Sequence, residues 1–578
     1  MKALLPLAAF ALLAFLRPWQ QEEPSQPFAR SRALATLVPE RCAVFLEAPG
    51  AHALFEQGLD HPLAGVLRES PIGAFWLSTH PRAVDAALAR AEEWLGTPVL
   101  PLLATVTARG LAFGFDPATK KSVLVAVGDD SAAVERALSA TLDALERQFD
   151  APGFLDRPNA RWHGADVWWL GEDGVIARRD ELVVLGNDRE LLRESLKLAA
   201  DPLAQGMSAR PGFAEQRRVC PSDATLWAWL ELAAIEPFGD DGYRALRTAN
   251  RAPAVQGLFG AEIGALVSAR ALSFTLKASE EGLELHARAH EAARVDALVP
   301  LARAGEVPAS ISGENVLDAL VYRDYARFVG ERATLFSPEV QGEFAEAVTN
   351  SALFFEGQDL GTEVLAHLSP WLRLVARPVE FAPERRPEIP LPALAVIGVV
   401  DDAPAGETWI TAFQTLLALL NVEHAQKGEP SMRLQLTSQD GCEISTARYP
   451  TPATGEGVDA RYNLEPAVAL AGRHLVLGTH VALVRELVHE LARAEPRAAE
   501  KPREELQLDA TGLGVFLQSN REAWIANEML TKGKTGDAAS SEFEVLRLAL
   551  ASFAGLRIEV DAHDPAAPEV RLALPFAR

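Results

Sequence analysis

The sequence predicts an α+β protein of two homologous lobes, each a mostly antiparallel sheet with helices packed on one face. Three observations carry that expectation. One segment is written twice: Val183 to Ala200 reads VVLGNDRELLRESLKLAA, and Leu475 to Ala492 reads LVLGTHVALVRELVHELA. Each copy is a short apolar run, a glycine, a polar cap and an amphipathic helix. Four further landmarks recur in the same order across both halves. The apolar runs are joined by tight turns, which connect antiparallel neighbours and cannot connect parallel ones.

Taken along the chain, the first landmark is a strand leading into a helix, AVFLEAPGAHALF from Ala43 and DALVYRDYARFV from Asp318. In the first half a helix over Arg82–Leu95 follows. Next comes a hairpin, Gly110–Phe115 and Ser122–Val127, turning at Asp116-Pro117. Its second strand ends in two aspartates, VLVAVGDD from Val123, as does AVIGVVDD from Ala395. Helices are expected over Ser131–Arg147 and Glu407–Leu420, then a meander over Asp166–Leu170, Val175–Arg178 and Glu181–Leu185. After the duplicated segment, TLWAWLEL from Thr225 and GLGVFLQS from Gly512 are matched as strands. Closing hairpins begin at Leu272 and Leu556. Ala494–Glu505, charged and proline-interrupted, reads as a solvated linker. Thr531–Ser541, polar and glycine-containing, reads as a mobile loop. Pro378–Pro392 and Tyr449–Gly457 read as long loops. The expected division is 37–290 for the first lobe, 291–313 for a connector and 314–578 for the second lobe.

The N-terminus reads MKALLPLAAFALLAFLRP, a positive start and an uncharged run from Leu4 to Leu16. That is a secretory h-region, short for a bilayer span. Residues 1–20 are therefore expected to be a signal peptide, with the mature start between about 20 and 36. The protein is expected to be exported, periplasmic or extracellular, and tethered if that segment is retained. A formal net charge of −24 opposes phosphate backbones, so no nucleic-acid partner is expected. Membrane contact is expected only through the N-terminal segment. Three cysteines, Cys42, Cys220 and Cys442, do not make a disulfide framework. Cys42 and Cys220 can pair only if their strands are neighbours.

Asp129-Asp130 and Asp401-Asp402 are acidic pairs at equivalent points of both halves. Paired carboxylates suit a hard cation. Their place, where a strand ends and a helix begins, suits helix capping better. His286 and His290 share a strand face with Glu284 and Arg288, an expected exposed polar face. Gly533-Lys534-Thr535 has the ending of a phosphate loop, but Glu528 stands where the first glycine belongs. No nucleophile elbow and no dinucleotide fingerprint occurs, so no catalytic residue and no cofactor is nominated. Trp168, Trp169, Trp227 and Trp229 are candidates for an apolar ligand groove. Trp227 and Trp229 lie on a strand apolar on both faces, which reads first as core.

The opening LVPERCAVFLEAPGAHALF, the strand and helix LVVLGNDRELLRESL and the hairpin LSFTLKASEEGLEL resemble the recurring elements of an uncharacterised bacterial family known only as a domain of unknown function. Its members are exported or membrane-tethered. The resemblance covers most of the chain after about residue 36. It implies an exported α+β protein and transfers no catalytic residues. The expected role is a non-catalytic binding or scaffold protein of the periplasm or cell envelope, with a protein or envelope partner. The rival expectations are an exported hydrolase whose site assembles from distant Asp, Glu and His, and a carrier of an apolar ligand in a groove between the lobes or between sheet and helices.

Overall fold

The computed structural model describes residues 33–48, 83–149, 153–171, 174–220, 224–235, 269–279, 281–291, 305–335, 338–387, 389–450, 460–498, 503–561 and 567–577, with isolated positions between 51 and 74. The expected signal peptide, most of the connector and the tip of the loop after Tyr449 lie outside the described residues. The chain divides into two compact units, Met1–Asp240 with Ala269–Glu291, and Asp241–Ser268 with Ala292–Arg578.

The first unit holds β1 (Val44–Ala48), β2 (Gly110–Asp116), β3 (Lys121–Val127), β4 (Ala160–Trp162), β5 (Ala165–Leu170), β6 (Gly174–Arg179), β7 (Leu182–Gly186), β8 (Leu226–Glu231), β9 (Ala271–Ser279) and β10 (Gly282–His290). All pair antiparallel, in the order β4-β5-β6-β7-β3-β2-β1-β8-β9-β10. The second unit holds a two-strand clip, β11 (Glu306–Val307) with β19 (Arg497–Ala498). Its main strands are β12 (Leu317–Tyr322), β13 (Trp371–Arg377), β14 (Ala393–Val399), β15 (Arg433–Gln439), β16 (Cys442–Arg448), β17 (Ala467–Ala471), β18 (His474–Gly478), β20 (Arg503–Asp509), β21 (Gly555–Asp561) and β22 (Glu569–Pro575). They too are antiparallel, ordered β15-β16-β17-β18-β14-β13-β12-β20-β21-β22. Strand for strand, the two orders are the same. The register agrees at the duplicated glycines: Gly186 faces Val123 and Val175, and Gly478 faces Ala395 and Ala467.

Helices cover both faces of each sheet rather than one. In the first unit α1 (Ala83–Leu95), α2 (Val99–Val106) and α3 (Ser131–Phe149) precede the duplicated helix α4 (Arg189–Ala200) and the short α5 (Phe213–Arg218). Val134, Leu138 and Leu142 of α3 pack on Ile176 and Val183. Leu191, Leu192 and Leu196 of α4 pack on Val125, Val175 and Val184 of the opposite face. In the second unit, α6 (Tyr325–Gly330) and α7 (Pro338–Ser351) come before the long α8 (Ala403–Lys427). Trp409 and Phe413 of α8 pack with Val468 and Leu475. The duplicated helix α9 (Val481–Leu491) buries Val484, Leu487 and Val488 on Ile397 and Val476 of the other face. The reason is in the strands: runs such as LVVLG and ALAVIGV are apolar at consecutive positions, so both faces must leave water.

Two segment readings are corrected. Gly512–Ser519 belongs to a helix, α10 (Ala510–Ser519), started by the Asp509 carboxylate accepting from the N–H groups of Thr511 and Gly512. The strand is instead β20, drawn partly from the expected linker. Its REELQLD alternates, and Glu504 is buried, accepting from the Tyr322 N–H at 3.0 Å and from Arg323 Nη1 at 2.5 Å. The expected mobile loop is an ordered corner between α11 (Arg521–Lys532) and α12 (Gly536–Ala551). Gly533 ends α11 at φ 66°, and the Thr535 side chain caps α12. Lys534 bridges Glu528 and Glu542 across the corner, holding the Glu528 carboxyl below its usual range.

Candidate functional site

The turns between β6 and β7 and between β17 and β18 need left-handed backbone, supplied by Asp180 (φ 53°) and Gly472 (φ 61°). The next residue is Glu181 in one unit and Arg473 in the other. The carbonyl of each accepts from the same kind of partner: Glu181 from the Gly128 N–H at 2.9 Å, Arg473 from the Val400 N–H at 3.0 Å. Opposite them, the residue donating its N–H to the Val127 carbonyl is Arg109, and to the Val399 carbonyl is Ser369, both at 2.7 Å. Equivalent backbone therefore carries exchanged chemistry. In the first unit Arg109 Nη1 reaches Glu181 Oε1 at 3.5 Å and the site closes on itself. In the second unit that bond comes from Ser369, one position before Pro370, which the register aligns with Arg109, and the turn carries the cation.

A cleft of about 350 Å3 results, lined by Glu306, Ser369, Pro370, Val399, Asp401 and Arg473 among others. Arg473 Nη2 lies 2.6 Å from Glu306 Oε2, and its Nε donates to the Val400 carbonyl at 3.0 Å. That carboxylate pushes the Arg473 pKa up. Ser369 Oγ donates to the Glu306 carbonyl at 2.6 Å, so it is held as a brace. Asp401 Oδ2 lies 3.1 Å from His367 Nδ1, with the two side chains 56% and 53% exposed. Beneath the rim, the fully buried His474 accepts from the Ala309 N–H through Nε2 at 3.2 Å, and burial lowers its pKa. The clip of β11 and β19 is thus fastened by the Ser369 and Arg473 bonds to Glu306, and His474 holds Ala309 just beyond β11. The arrangement can seat a small polar molecule on an apolar floor. It holds no free nucleophile beside a base.

The nominated residues are placed as follows. Asp402 caps α8, accepting from the Ala405 N–H at 3.0 Å, and Asp130 accepts from the Ala132 N–H at 2.9 Å at the start of α3. Asp129 is exposed at that helix start, whereas Asp401 lines the cleft. Among the described residues no group of three or more His, Cys, Asp or Glu is placed to hold a metal ion. The tryptophans are placed in or against the packed cores. Trp227 and Trp229 are 1% and 2% exposed, packed on Phe213 at centroid distances of 4.9 and 5.6 Å. Trp168 is buried with α3, its Nε1 donating to the Leu155 carbonyl, and Trp169 lies under the Arg189 guanidinium at 4.3 Å. Cys42, Cys220 and Cys442 form no disulfide among the described residues. Of the expected polar histidine face, His290 is instead half-buried against Trp229. His163 is exposed, His424 stacks on Tyr449, and His480 caps α9 beside Glu465. Glu306, Ser369 and Arg473 escaped the sequence reading. The charge reversal from Glu181 to Arg473, each one residue before the matching strands β7 and β18, was the signal available for them.

No helix among the described residues is long and apolar enough to cross a membrane. No protein-family description matches the chain, and no curated protein matches it. Among solved structures it is similar to crystal form I of TP0453, at 11% identity over 45% of this chain and 80% of that one, with a TM-score of 0.24. A likeness that slight carries no argument.

Proposed function

We propose that the protein is an exported, non-catalytic binding or scaffold protein of the bacterial periplasm or cell envelope, and that the cleft of the second unit is its ligand seat. The observation carrying this reading is the difference at one corner: where Arg109 meets Glu181 in one unit, the other has Ser369 and Pro370 beside a cleft of about 350 Å3. That volume is at the small end of ligand pockets. The shared strand order and register support descent of both units from one module, with one copy kept closed and one opened. Export rests on the positive start and apolar run at Lys2–Leu16, and the family resemblance agrees with it.

The hydrolase reading has less support, because the carboxylates at the cleft are half-exposed or ion-paired and Ser369 is a brace. The apolar-carrier reading loses its lining, since the tryptophans pack within the described cores. A ligand-observed NMR screen of small polar fragments, repeated on Ser369→Arg, tests the seat. Binders that compete with one another and vanish in the variant support it; binders indifferent to the variant refute it. Fractionation of cells expressing the full chain tests export, and a purely cytoplasmic protein would refute that half of the proposal.

A further inference from the structure

Resting on the cleft as the ligand seat, we infer that its ligand is a protonated amine on a short aliphatic stem, the chemistry of a lysine side chain or a free alkylamine. The cleft presents two carboxylates, Glu306 and Asp401, and one guanidinium, Arg473. Arg473 and Glu306 are mutually neutralised at 2.6 Å. Asp401, beside the His367 imidazole, shares the field of that same guanidinium, so two carboxylates stand against a single fixed cation. The uncompensated charge is therefore negative, which favours a cation over an anion of the same shape. An anion would also have to displace Glu306 from Arg473.

The rest of the lining decides the body of the ligand. Pro370, Val399 and Ala498 are apolar and offer no hydrogen-bonding side chain, so they suit methylene groups. The braced Ser369 and the neighbouring Pro370 stand where the first unit places the long side chain of Arg109.

Saturation-transfer NMR on the full chain with n-butylamine, n-butyrate and n-butanol tests this. Butylamine is expected to bind at least about tenfold more tightly than either analogue, the scale of one charge-assisted hydrogen bond. Asp401→Asn is expected to erase that preference, while Asp402 still caps α8 and circular dichroism is unchanged. Ser369→Arg is expected to abolish binding of all three. A lysine-containing tripeptide that binds more tightly than butylamine identifies a peptide side chain as the source, and one that fails to compete identifies a free amine. Preference for butyrate or butanol overturns the amine while leaving the seat intact. Binding by none of the three overturns both. An amine preference that survives Asp401→Asn overturns the assignment to this carboxylate.

Discussion

The same sheet face is finished in opposite ways in the two units. In the first, α4 and β8 are joined by residues 201–225, of which 201–220 cross the face over β1, β8 and β9. It plants Met207, Phe213 and Gln216 there, all buried, above Phe45, Trp227 and Trp229. Glu47 is buried beneath it with Arg217 Nε at 2.8 Å. In the second, the chain between α9 and β20, residues 492–502, is less than half as long and forms the clip instead of a cover. The matching strands carry charge there: Arg373 donates to both oxygens of Asp318, Arg503 to Glu559, and Arg557 lies 2.8 Å from Glu559. The fold tolerates either solution because a sheet face needs only to be buried and apolar, or wet and polar.

The comparison can be broken most forcefully at the aromatic cover. Phe213→Ala is expected to cost the first unit about 3–5 kcal/mol, the usual toll of an emptied core position, read as a lower urea midpoint. Glu505→Ala, on the wet face of the second unit, is expected to change stability by less than about 0.5 kcal/mol. Equal effects would mean that the two faces do not differ as described.

A comparable loss is expected from Glu504→Ala, which strands Arg323 without its buried partner. About 3–5 kcal/mol is the scale of such a broken pair, checked by the same titration. Acid sharpens the contrast next. Burial holds His474 below its ordinary value of 6.5, so the unfolded chain takes up a proton that the native one refuses. Stability of the second unit should be level above pH 6.5 and fall as the pH drops from there toward the lowered native value. The His474→Gln variant should lose that part of the slope, and an unchanged slope would exclude His474 as its source.

The duplicated helices should differ slightly. Asp188→Ala removes a carboxylate cap accepting from the Leu191 N–H at 2.8 Å and is expected to cost about 1 kcal/mol. His480→Ala removes a cap at 3.3 Å and is expected to cost less, by thermal melts of both. The smallest effect is chemical. Burial, with Asp116 adding to it, pushes the Cys42 thiol up to about 12, so alkylation of the native protein at pH 8 should spare it. Cys42 modified as fast as an unfolded thiol would contradict its position in the core.

Legibility in the sequence followed the strength of periodic signals. The hairpin β2–β3, the meander β5–β7 and the helices α1, α3, α4 and α9 stand close to where apolar spacing and turn residues put them. REELQLD failed that reading because its buried member Glu504 is charged, and a satisfied ion pair does not look like a core position in one dimension. Helices on both faces were foreshadowed by the two-sided apolarity of LVVLG, which a one-face layer cannot serve. The cleft was half legible. Asp401 stood out as part of a repeated pair, whereas Glu306 lies in the expected connector and reaches Arg473 only through the clip.

The unequal connectors have one more consequence. Trimming residues 201–225 to the length of 492–502 would leave Phe45, Trp227 and Trp229 facing water, an adhesive surface. Lengthening 492–502 would press an apolar lid onto arginines and glutamates. Neither change is tolerable alone, so the length of a loop governs which residues strands far from it in sequence are free to use.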